Sequence, residues 1–150
     1  MRPGRVTFAM IKPDAFEAGK AGRILAHVEQ AGYVVRAMRL VRLSRVEAEA
    51  FYEVHRGRPF YEELVGFISS GRALALVLDH PDAVAAWRAT IGATDPAEAA
   101  DGTIRKLFAE SKGRNAVHGS DSDDNARREI AFFFPERELA LLGGGGSDPV

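Results

Sequence analysis

The sequence has no cysteine, which excludes a disulfide framework and a thiolate metal site. It also lacks any apolar run approaching the roughly 20 residues of a membrane-spanning helix. The formal net charge is only −1, with charges spread along the chain, so neither a nucleic-acid surface nor an acidic-membrane surface is indicated. The first residues, MRPGRVTFAMIKPD, contain too short an apolar run for a signal peptide. We therefore expect a cytoplasmic protein.

The length and the last residues predict how the chain is divided. A chain of 150 residues has the size of one domain with one sizeable core. We place this domain at residues 1–142. Residues 143–150 read GGGGSDPV and are predicted to form a flexible tail.

Hydrophobic spacing predicts alternating strands and helices. The predicted strands are residues 5–11, 33–43 and 72–78 and a short apolar run that ends in a histidine, His118. The predicted helices are residues 20–30, 46–53, 60–68, 83–91 and 104–110 and a segment from about residue 123. Ser44 and Glu47 form a capping box, and Asp82 is the expected cap of a later helix. This order predicts an α+β fold, a ferredoxin-like sandwich with a four-stranded antiparallel sheet covered by helices.

Residues 115–122, NAVHGSDS, place a histidine directly before a predicted helix. Gly119 allows a sharp turn after His118, and the small oxygen-bearing residues that follow are good N-caps. A helix N-terminus carries a partial positive charge and attracts anions such as phosphate. A nucleophile and a phosphate cradle are therefore predicted to meet here.

His118 is the candidate nucleophile of this stretch. A histidine in an apolar strand, taken alone, is more often a hydrogen-bonded core or surface residue. The adjoining phosphate-binding turn favours catalysis, since a neutral imidazole is nucleophilic near its ordinary pKa of about 6.5. Glu129 follows about two helical turns into the next helix, beside Ala126 and Ile130, which we expect to be buried. Its carboxylate could orient the imidazole, although a solvated glutamate is the alternative.

Five segments in order resemble the nucleoside diphosphate kinase family. They are KPDA at residues 12–15, RPF at 58–60, GATDP at 92–96, GTIR at 102–105 and NAVHGSDS at 115–122. The resemblance runs from about Val6 to about Phe134. It implies transfer of the terminal phosphoryl group of a nucleoside triphosphate, usually ATP, to a nucleoside diphosphate through phosphorylated His118, with ping-pong kinetics. The family has the ferredoxin-like fold, and its members are homo-oligomers, either hexamers or tetramers.

The resemblance also assigns residues to the phosphates, since phosphoryl transfer depends on positioning and on charge neutralisation. Lys12 ends the first predicted strand, Arg88 lies on a helix, and Arg105 lies in a connection too long to be a simple turn. Each of these cations, taken singly, would be a solvated surface charge. Position by position they match phosphate ligands of the family, and Thr94 matches a hydroxyl donor to the same groups.

The remaining assignments concern the nucleoside and the surroundings of His118. Asn115 matches the residue that contacts the sugar hydroxyl. Phe60 follows a proline in a turn and is expected to stack on any base, the alternative being that it caps the core. Glu129 matches the carboxylate that orients the histidine. Tyr52 and Ser120 match supporting catalytic positions.

No protein-held metal is indicated. Carboxylates and histidines do not cluster at ligand spacing, and helix capping explains Asp121, Asp123 and Asp124 equally well. Mg²⁺ is expected to arrive bound to the nucleotide phosphates.

Two positions depart from the family pattern. Lys112 stands where an apolar residue often faces the base, and its methylene stem could pack there instead. Glu53 and Val54 are exchanged relative to the usual order, so that a supporting carboxylate could be displaced. Neither change affects His118.

Two other classes of function compete with a kinase. An inactive nucleotide-binding module would have lost a catalytic group, yet His118, Lys12 and Glu129 are all present. A histidine phosphocarrier between proteins would have no use for Phe60 and Asn115.

Overall fold

The computed structural model describes residues 4–141. Within them the strands are β1 (Val6–Ile11), β2 (Val34–Val41), β3 (Ala73–Asp79) and β4 (Val117–Gly119). The helices in this range are α1 (Pro13–Glu17), α2 (Ala21–Gln30), α3 (Arg45–Phe51), α4 (Tyr61–Ile68), α5 (Ala83–Ile91), α6 (Ile104–Phe108), α7 (Asp123–Phe133) and α8 (Glu136–Leu141). The predicted tail lies outside the described residues, so the division at residue 142 stays a prediction.

The four strands form one antiparallel sheet in the order β2-β3-β1-β4. This topology confirms the predicted ferredoxin-like α+β fold. The central strands β1 and β3 are almost wholly buried, because both of their faces are covered. The edge strand β2 is partly exposed, but its most exposed residues are apolar, Val34, Met38 and Leu40, whereas Arg36 and Arg39 are half-buried in contacts with Asp79 and Glu138.

Two hydrophobic cores flank the sheet, and β1 contributes alternate side chains to them. Phe8 and Met10 belong to one core with Phe51 and Phe133. Ala9 and Ile11 belong to the other, which also contains Trp87. The short strand β4 pairs with the end of β1, with His118 opposite Met10. The histidine therefore lies at a sheet edge backed by the rigid centre of the fold.

The helices differ from their predicted forms in four places. β1 ends at Ile11, and Pro13 begins α1, a helix that the sequence analysis missed; proline suits the first helical position. The predicted capping box at Ser44 is confirmed, yet α3 ends at Phe51, and a separate 3₁₀ turn, Glu53–His55, follows. The helix α8 was also missed. Asp82 occupies the N-cap position of α5 as predicted, but its side chain makes no capping hydrogen bond.

Across residues 4–141 no helix is both long and apolar enough to cross a membrane.

Candidate active site

His118 lies in a pocket of aromatic rings at the sheet edge. Its ring centroid is 5.8 Å from that of Phe8 and 5.7 Å from that of Phe51. The side chain is 19% exposed. One part of the imidazole is thus open to solvent while the rest is fixed by apolar neighbours.

Glu129 holds one nitrogen of this ring, and Ser120 holds Glu129. His118 Nε2 is 2.8 Å from Glu129 Oε1, and Ser120 Oγ donates to the same oxygen at 2.7 Å. An ionised carboxylate can only accept hydrogen bonds, so Nε2 carries the hydrogen and Nδ1 keeps a lone pair. Glu129 and Ser120 are both buried, as expected for Glu129 from its neighbours on α7. We call His118, Ser120 and Glu129 the histidine cluster.

The backbone of His118 is held by Trp87 of α5. The indole Nε1 donates to the carbonyl oxygen of His118 at 3.1 Å. The next residue, Gly119, allows this approach, because a Cβ there would lie 2.8 Å from Trp87 Cδ1. Trp87 is 1% exposed, so it is a rigid support. The sequence analysis missed it, and the only signal was an apolar position on a predicted helix.

Three cations come from separate elements of the fold. Lys12 directly follows β1, Arg88 lies on α5, and Arg105 lies on α6. Their charges act on one another, since Arg105 lowers the pKa of Lys12 and Arg88 lowers that of Arg105. We call Lys12, Arg88 and Arg105 the cation cluster. Like charges placed this closely create a site for an anion.

Lys12 is buried and points towards the segment before β4. Its Nζ donates to Asn115 Oδ1 at 2.8 Å. Its pKa is lowered to about 8, first by burial and then by the charge of Arg105, whereas Asp14 opposes the decrease. The ammonium group therefore remains mostly charged at neutral pH but titrates just above it.

Arg105 is buried and fixed by two backbone carbonyls. Its guanidinium donates to the carbonyl oxygens of Gly92 and Val117, each at 3.0 Å. Burial, followed by the charge of Arg88, lowers its pKa to about 10, so it stays charged at neutral pH. Its Nε is buried without a hydrogen-bond partner among the described residues. A buried, under-satisfied cation is well suited to an incoming anion.

A cleft of about 330 Å³ opens beside this cluster. Its lining includes Arg88, Gly92, Thr94 and Arg105. Gly92 has φ +88, and a Cβ there would lie 2.6 Å from Thr103 Oγ1. Thr94 is exposed, and its carbonyl oxygen is 3.5 Å from Asn115 Nδ2, at the limit for a hydrogen bond. Three of the four predicted phosphate ligands, Arg88, Thr94 and Arg105, therefore line this cleft, and Lys12 is not part of its lining.

The N-terminus of α7 differs from the cradle that the sequence predicts. Ser122 caps it by accepting from the backbone N–H of Asn125 at 3.1 Å. Asp123 and Asp124 occupy its first turn. The pKa of Asp121 is lowered, chiefly by its hydrogen bond from Asn125, with smaller contributions from Arg88 and His118. Acidic groups therefore already occupy this helix end, and the cations concentrate around the cleft instead.

Phe60 marks the outer end of a chain of aromatic rings. It is 45% exposed, and its ring centroid is 5.5 Å from that of His55. His55 is 6.0 Å from Tyr52, and Tyr52 is 5.1 Å from Phe51, which packs on His118. Phe60 does not cap the core, since this much of its surface remains open for stacking.

Tyr52 lies near Glu129 and keeps its proton. Burial, followed by the negative charge of Glu129, raises the pKa of the Tyr52 phenol well above its usual value. A neutral phenol beside the carboxylate can serve as a hydrogen-bond donor near His118.

The two departures from the family pattern are both at the surface. Lys112 is exposed. Glu53 forms an ion pair with Arg56, with Oε2 2.8 Å from an Arg56 guanidinium nitrogen. Val54 is 58% exposed. The carboxylate of Glu53 therefore pairs with a residue close by in the sequence.

Asp14 binds the backbone beside the site, and the sequence analysis did not single it out, although it lies within the KPDA segment. Its Oδ2 accepts a hydrogen bond from the backbone N–H of Ala116 at 2.9 Å. Ala116 lies between Asn115 and the strand that carries His118. A long-range bond of this kind leaves no periodic signal in the sequence.

Comparisons with known proteins agree with this geometry. Residues 5–139 match the family model described as nucleoside diphosphate kinase. A nucleoside diphosphate kinase of Sorangium cellulosum is 54% identical over 89% of this chain and 93% of its own length. One from Phenylobacterium zucineum is 53% identical over 89% of this chain and 96% of its own.

Solved structures show the same fold. The nucleoside diphosphate kinase of Aquifex aeolicus superposes with a TM-score of 0.87 at 44% identity, covering 89% of this chain and 97% of that one. The enzyme of Encephalitozoon cuniculi gives a TM-score of 0.85 at 36% identity over 97% and 93% of the two chains.

Proposed function

The chain belongs to the nucleoside diphosphate kinase family, and we propose that it transfers the terminal phosphoryl group of a nucleoside triphosphate, usually ATP, to a nucleoside diphosphate. The reaction proceeds in two half-reactions through phosphorylated His118. Each half-reaction uses the same site with one nucleotide bound, which gives ping-pong kinetics.

The hydrogen bond between His118 and Glu129 carries this proposal. Since Nε2 donates to Oε1 at 2.8 Å, Nδ1 is the nucleophile. Nδ1 attacks the terminal phosphorus, the bond to the bridging oxygen breaks, and the diphosphate leaves. The imidazole becomes positively charged, and Glu129 stabilises that charge. In the second half-reaction a terminal phosphate oxygen of the acceptor attacks the phosphohistidine, and the P–N bond breaks.

The cation cluster binds the phosphates. Lys12, Arg88 and Arg105 neutralise charge on the transferred group, and Thr94 donates a hydroxyl hydrogen bond. Two observations support this assignment. Arg88, Thr94 and Arg105 line the cleft, and the pKa values of Lys12 and Arg105 are lowered. Ser120 and Tyr52 act on Glu129 and the ring rather than on the phosphates.

Asn115 and Phe60 bind the nucleoside. The amide of Asn115 is held by Lys12, so that it is oriented to meet a sugar hydroxyl. The exposed ring of Phe60 stacks on the base, and stacking accepts any base because each has a π-face.

Mg²⁺ would enter as part of the nucleotide substrate. Among residues 4–141 no group of three or more histidine, aspartate or glutamate side chains could hold a metal ion. When bound with the nucleotide, the metal would supply positive charge to the phosphates in addition to that of the cation cluster.

A homo-oligomer, hexamer or tetramer, is the proposed assembly. The edge strand β2 supports it, since Val34, Met38 and Leu40 are each at least 50% exposed there. An unpaired strand edge with exposed apolar side chains favours pairing with another chain. We place the enzyme in the cytoplasm, where its nucleotide substrates are made and used.

Incubation of the purified protein with γ-labelled ATP, without an acceptor, tests the proposal. We expect acid-labile, base-stable label on His118 that transfers to added GDP. Bound nucleotide without label would favour the inactive binding module. Label that passes to a protein but not to GDP would favour the phosphocarrier.

A further inference from the structure

Ala116 has an unusual backbone conformation next to the catalytic strand. Its φ of 73° lies in the left-handed region, and among the described residues it is the only non-glycine residue with a positive φ. A Cβ is unfavourable in this region, so surrounding contacts must hold the residue there. Asn115 and Val117 flank it, and His118 follows, so its conformation sets the direction of all three.

A local bond spans Ala116, since the N–H of Val117 donates to the carbonyl oxygen of Asn115 at 2.8 Å. The other contacts that hold Ala116 come from the segment after β1 and from the start of α1. The backbone N–H of Lys12 donates to the carbonyl oxygen of Ala116 at 2.8 Å. The N–H of Ala116 donates to Asp14 Oδ2 at 2.9 Å. Both polar backbone groups of Ala116 are thus bound by one segment about a hundred residues away in sequence.

Asp14 uses only one of its two carboxylate oxygens in this interaction. Its side chain is buried, and Oδ1 has no hydrogen-bond partner among the described residues. Burying an unpaired carboxylate oxygen is unfavourable. A role confined to the first turn of α1 would not require burial, because an exposed acid stabilises a helix N-terminus equally well.

We propose that Asp14 is a positioning residue that holds Ala116 in the left-handed conformation and thereby fixes Asn115 and His118 for phosphoryl transfer. The inference rests on the proposed kinase function. It adds a residue that contacts neither nucleotide nor phosphate but acts through the backbone.

Asp14 has a second, electrostatic effect on the same site. Its negative charge raises the pKa of Lys12, against burial and the charge of Arg105, which lower it. Lys12 in turn donates to Asn115 and lies 5.9 Å from the centre of the Phe67 ring. The charge of Asp14 thus helps to keep Lys12 protonated for phosphate binding.

Two substitutions separate the backbone effect from the charge effect. Asp14→Asn keeps an oxygen that can accept from Ala116 and removes the charge. Asp14→Ala removes both. Ala116→Gly, introduced into Asp14→Ala, makes the left-handed conformation accessible without the clamp. Asp82→Asn is the matched control, because Asp82 is exposed and its side chain makes no capping hydrogen bond.

We expect Asp14→Ala to lower kcat by about 10- to 100-fold, since small misplacements of reacting groups have effects of this size. Adding Ala116→Gly should recover part of this loss. Asp14→Asn should keep kcat near the wild-type value at pH 6.5 while the basic limb of kcat/KM moves to lower pH. Asp82→Asn should change neither quantity.

Direct titration of Lys12 by NMR of its Nζ or Cε supplies a readout that does not depend on catalysis. We expect a lower Lys12 pKa in Asp14→Asn than in the wild type. If wild-type protein acquires no label on His118, the proposed function fails, whereas this titration still tests the effect of Asp14 on the site.

Two results would overturn the inference. The first is a kcat of Asp14→Ala equal to that of Asp82→Asn. The second is a loss of kcat in Asp14→Ala that only follows the loss of folded protein and is not relieved by Ala116→Gly, which would restrict Asp14 to a role in folding. An unchanged Lys12 pKa in Asp14→Asn would overturn the electrostatic effect alone.

Discussion

The histidine cluster and the cation cluster are built in opposite ways. The bonds of the histidine cluster join residues 11 and 9 positions apart. The Lys12–Asn115 bond beside the cation cluster joins residues 103 positions apart. In the histidine cluster a carboxylate already satisfies the ring nitrogen, whereas in the cation cluster burial and like charges lower the pKa of Lys12 and Arg105. The histidine cluster has its hydrogen bonds in place without substrate, whereas the cation cluster gains its opposite charges when phosphates bind.

Replacement of His118 by alanine is the strongest test of whether the two clusters act independently. His118→Ala removes the nucleophile and leaves the cation cluster in place. We expect the transfer rate to fall by more than about 10²-fold, as losses of a general base alone reach 10²- to 10⁴-fold. Nucleotide affinity, measured by calorimetry, should remain close to that of the wild type.

His27→Ala is the matched control, because His27 on α2 lies outside both clusters. Transfer by His118→Ala at more than about a hundredth of the wild-type rate would remove this residue from the mechanism.

Neutralising Glu129 should have the next largest effect. Glu129→Gln keeps an oxygen that can accept from Nε2 but loses the charge that stabilises the positive imidazole. We expect kcat to fall by about 10²-fold with little change in nucleotide affinity, since charge stabilisation of this kind contributes several kcal/mol. Rapid-quench measurement of phosphohistidine formation locates the loss in the chemical step.

Glu29→Gln on the exposed face of α2 removes a carboxylate of the same kind away from the site. If Glu129→Gln instead weakened nucleotide binding and left phosphorylation unchanged, the two clusters would not be independent.

The local construction of the histidine cluster explains why it could be predicted from the sequence. Glu129 lies on the helix that follows His118, so helical spacing is enough to place it on the buried face. The fold could also be predicted, because β1 and β3 are long apolar segments with clear ends. The short helices α1 and α8 were missed, since five or six residues carry too little periodicity.

The backbone support that the two clusters share could not be predicted in the same way. The bond from Ala116 to Asp14 joins residues 102 positions apart, and the bond from Trp87 is made to a backbone carbonyl. Neither contact depends on a periodic pattern. The family resemblance identified Lys12, Arg88 and Arg105, but only the structure shows that Lys12 and Arg105 are buried with lowered pKa values.

The pH dependence of kcat/KM tests the lowered pKa of Lys12 in the cation cluster. Lys12 loses its proton, and with it its positive charge, above a pKa of about 8 in the free enzyme. We therefore expect kcat/KM to decrease about tenfold per pH unit above that value, because kcat/KM reports groups of the free enzyme. Lys12→Arg should move this limb to higher pH.

Folding stability should change in the opposite direction. Between pH 8 and 10.5 the unfolded chain holds the Lys12 proton more tightly than the folded protein, so this group's contribution to stability increases as pH increases. A loss of kcat/KM above pH 8 that coincides with thermal destabilisation, and persists in Lys12→Arg, would assign the limb to another group.

The smallest expected effect comes from the backbone support that the two clusters share. In Gly119→Ala the new Cβ would lie 2.8 Å from Trp87 Cδ1 and 3.1 Å from Ile91 Cδ1, and both side chains are buried. We expect the free energy of unfolding to fall by about 1–3 kcal/mol, the usual effect of overpacking. The transfer rate should fall only a few-fold, since Nε2 remains bound to Glu129.

Gly66→Ala on α4 is the matched control: nothing lies within 4 Å of its added Cβ, so the better helix propensity of alanine should raise stability. If both substitutions changed the urea midpoint equally, the close approach of Trp87 to β4 would not be a constraint, and the position of His118 would depend on the Asp14 side alone.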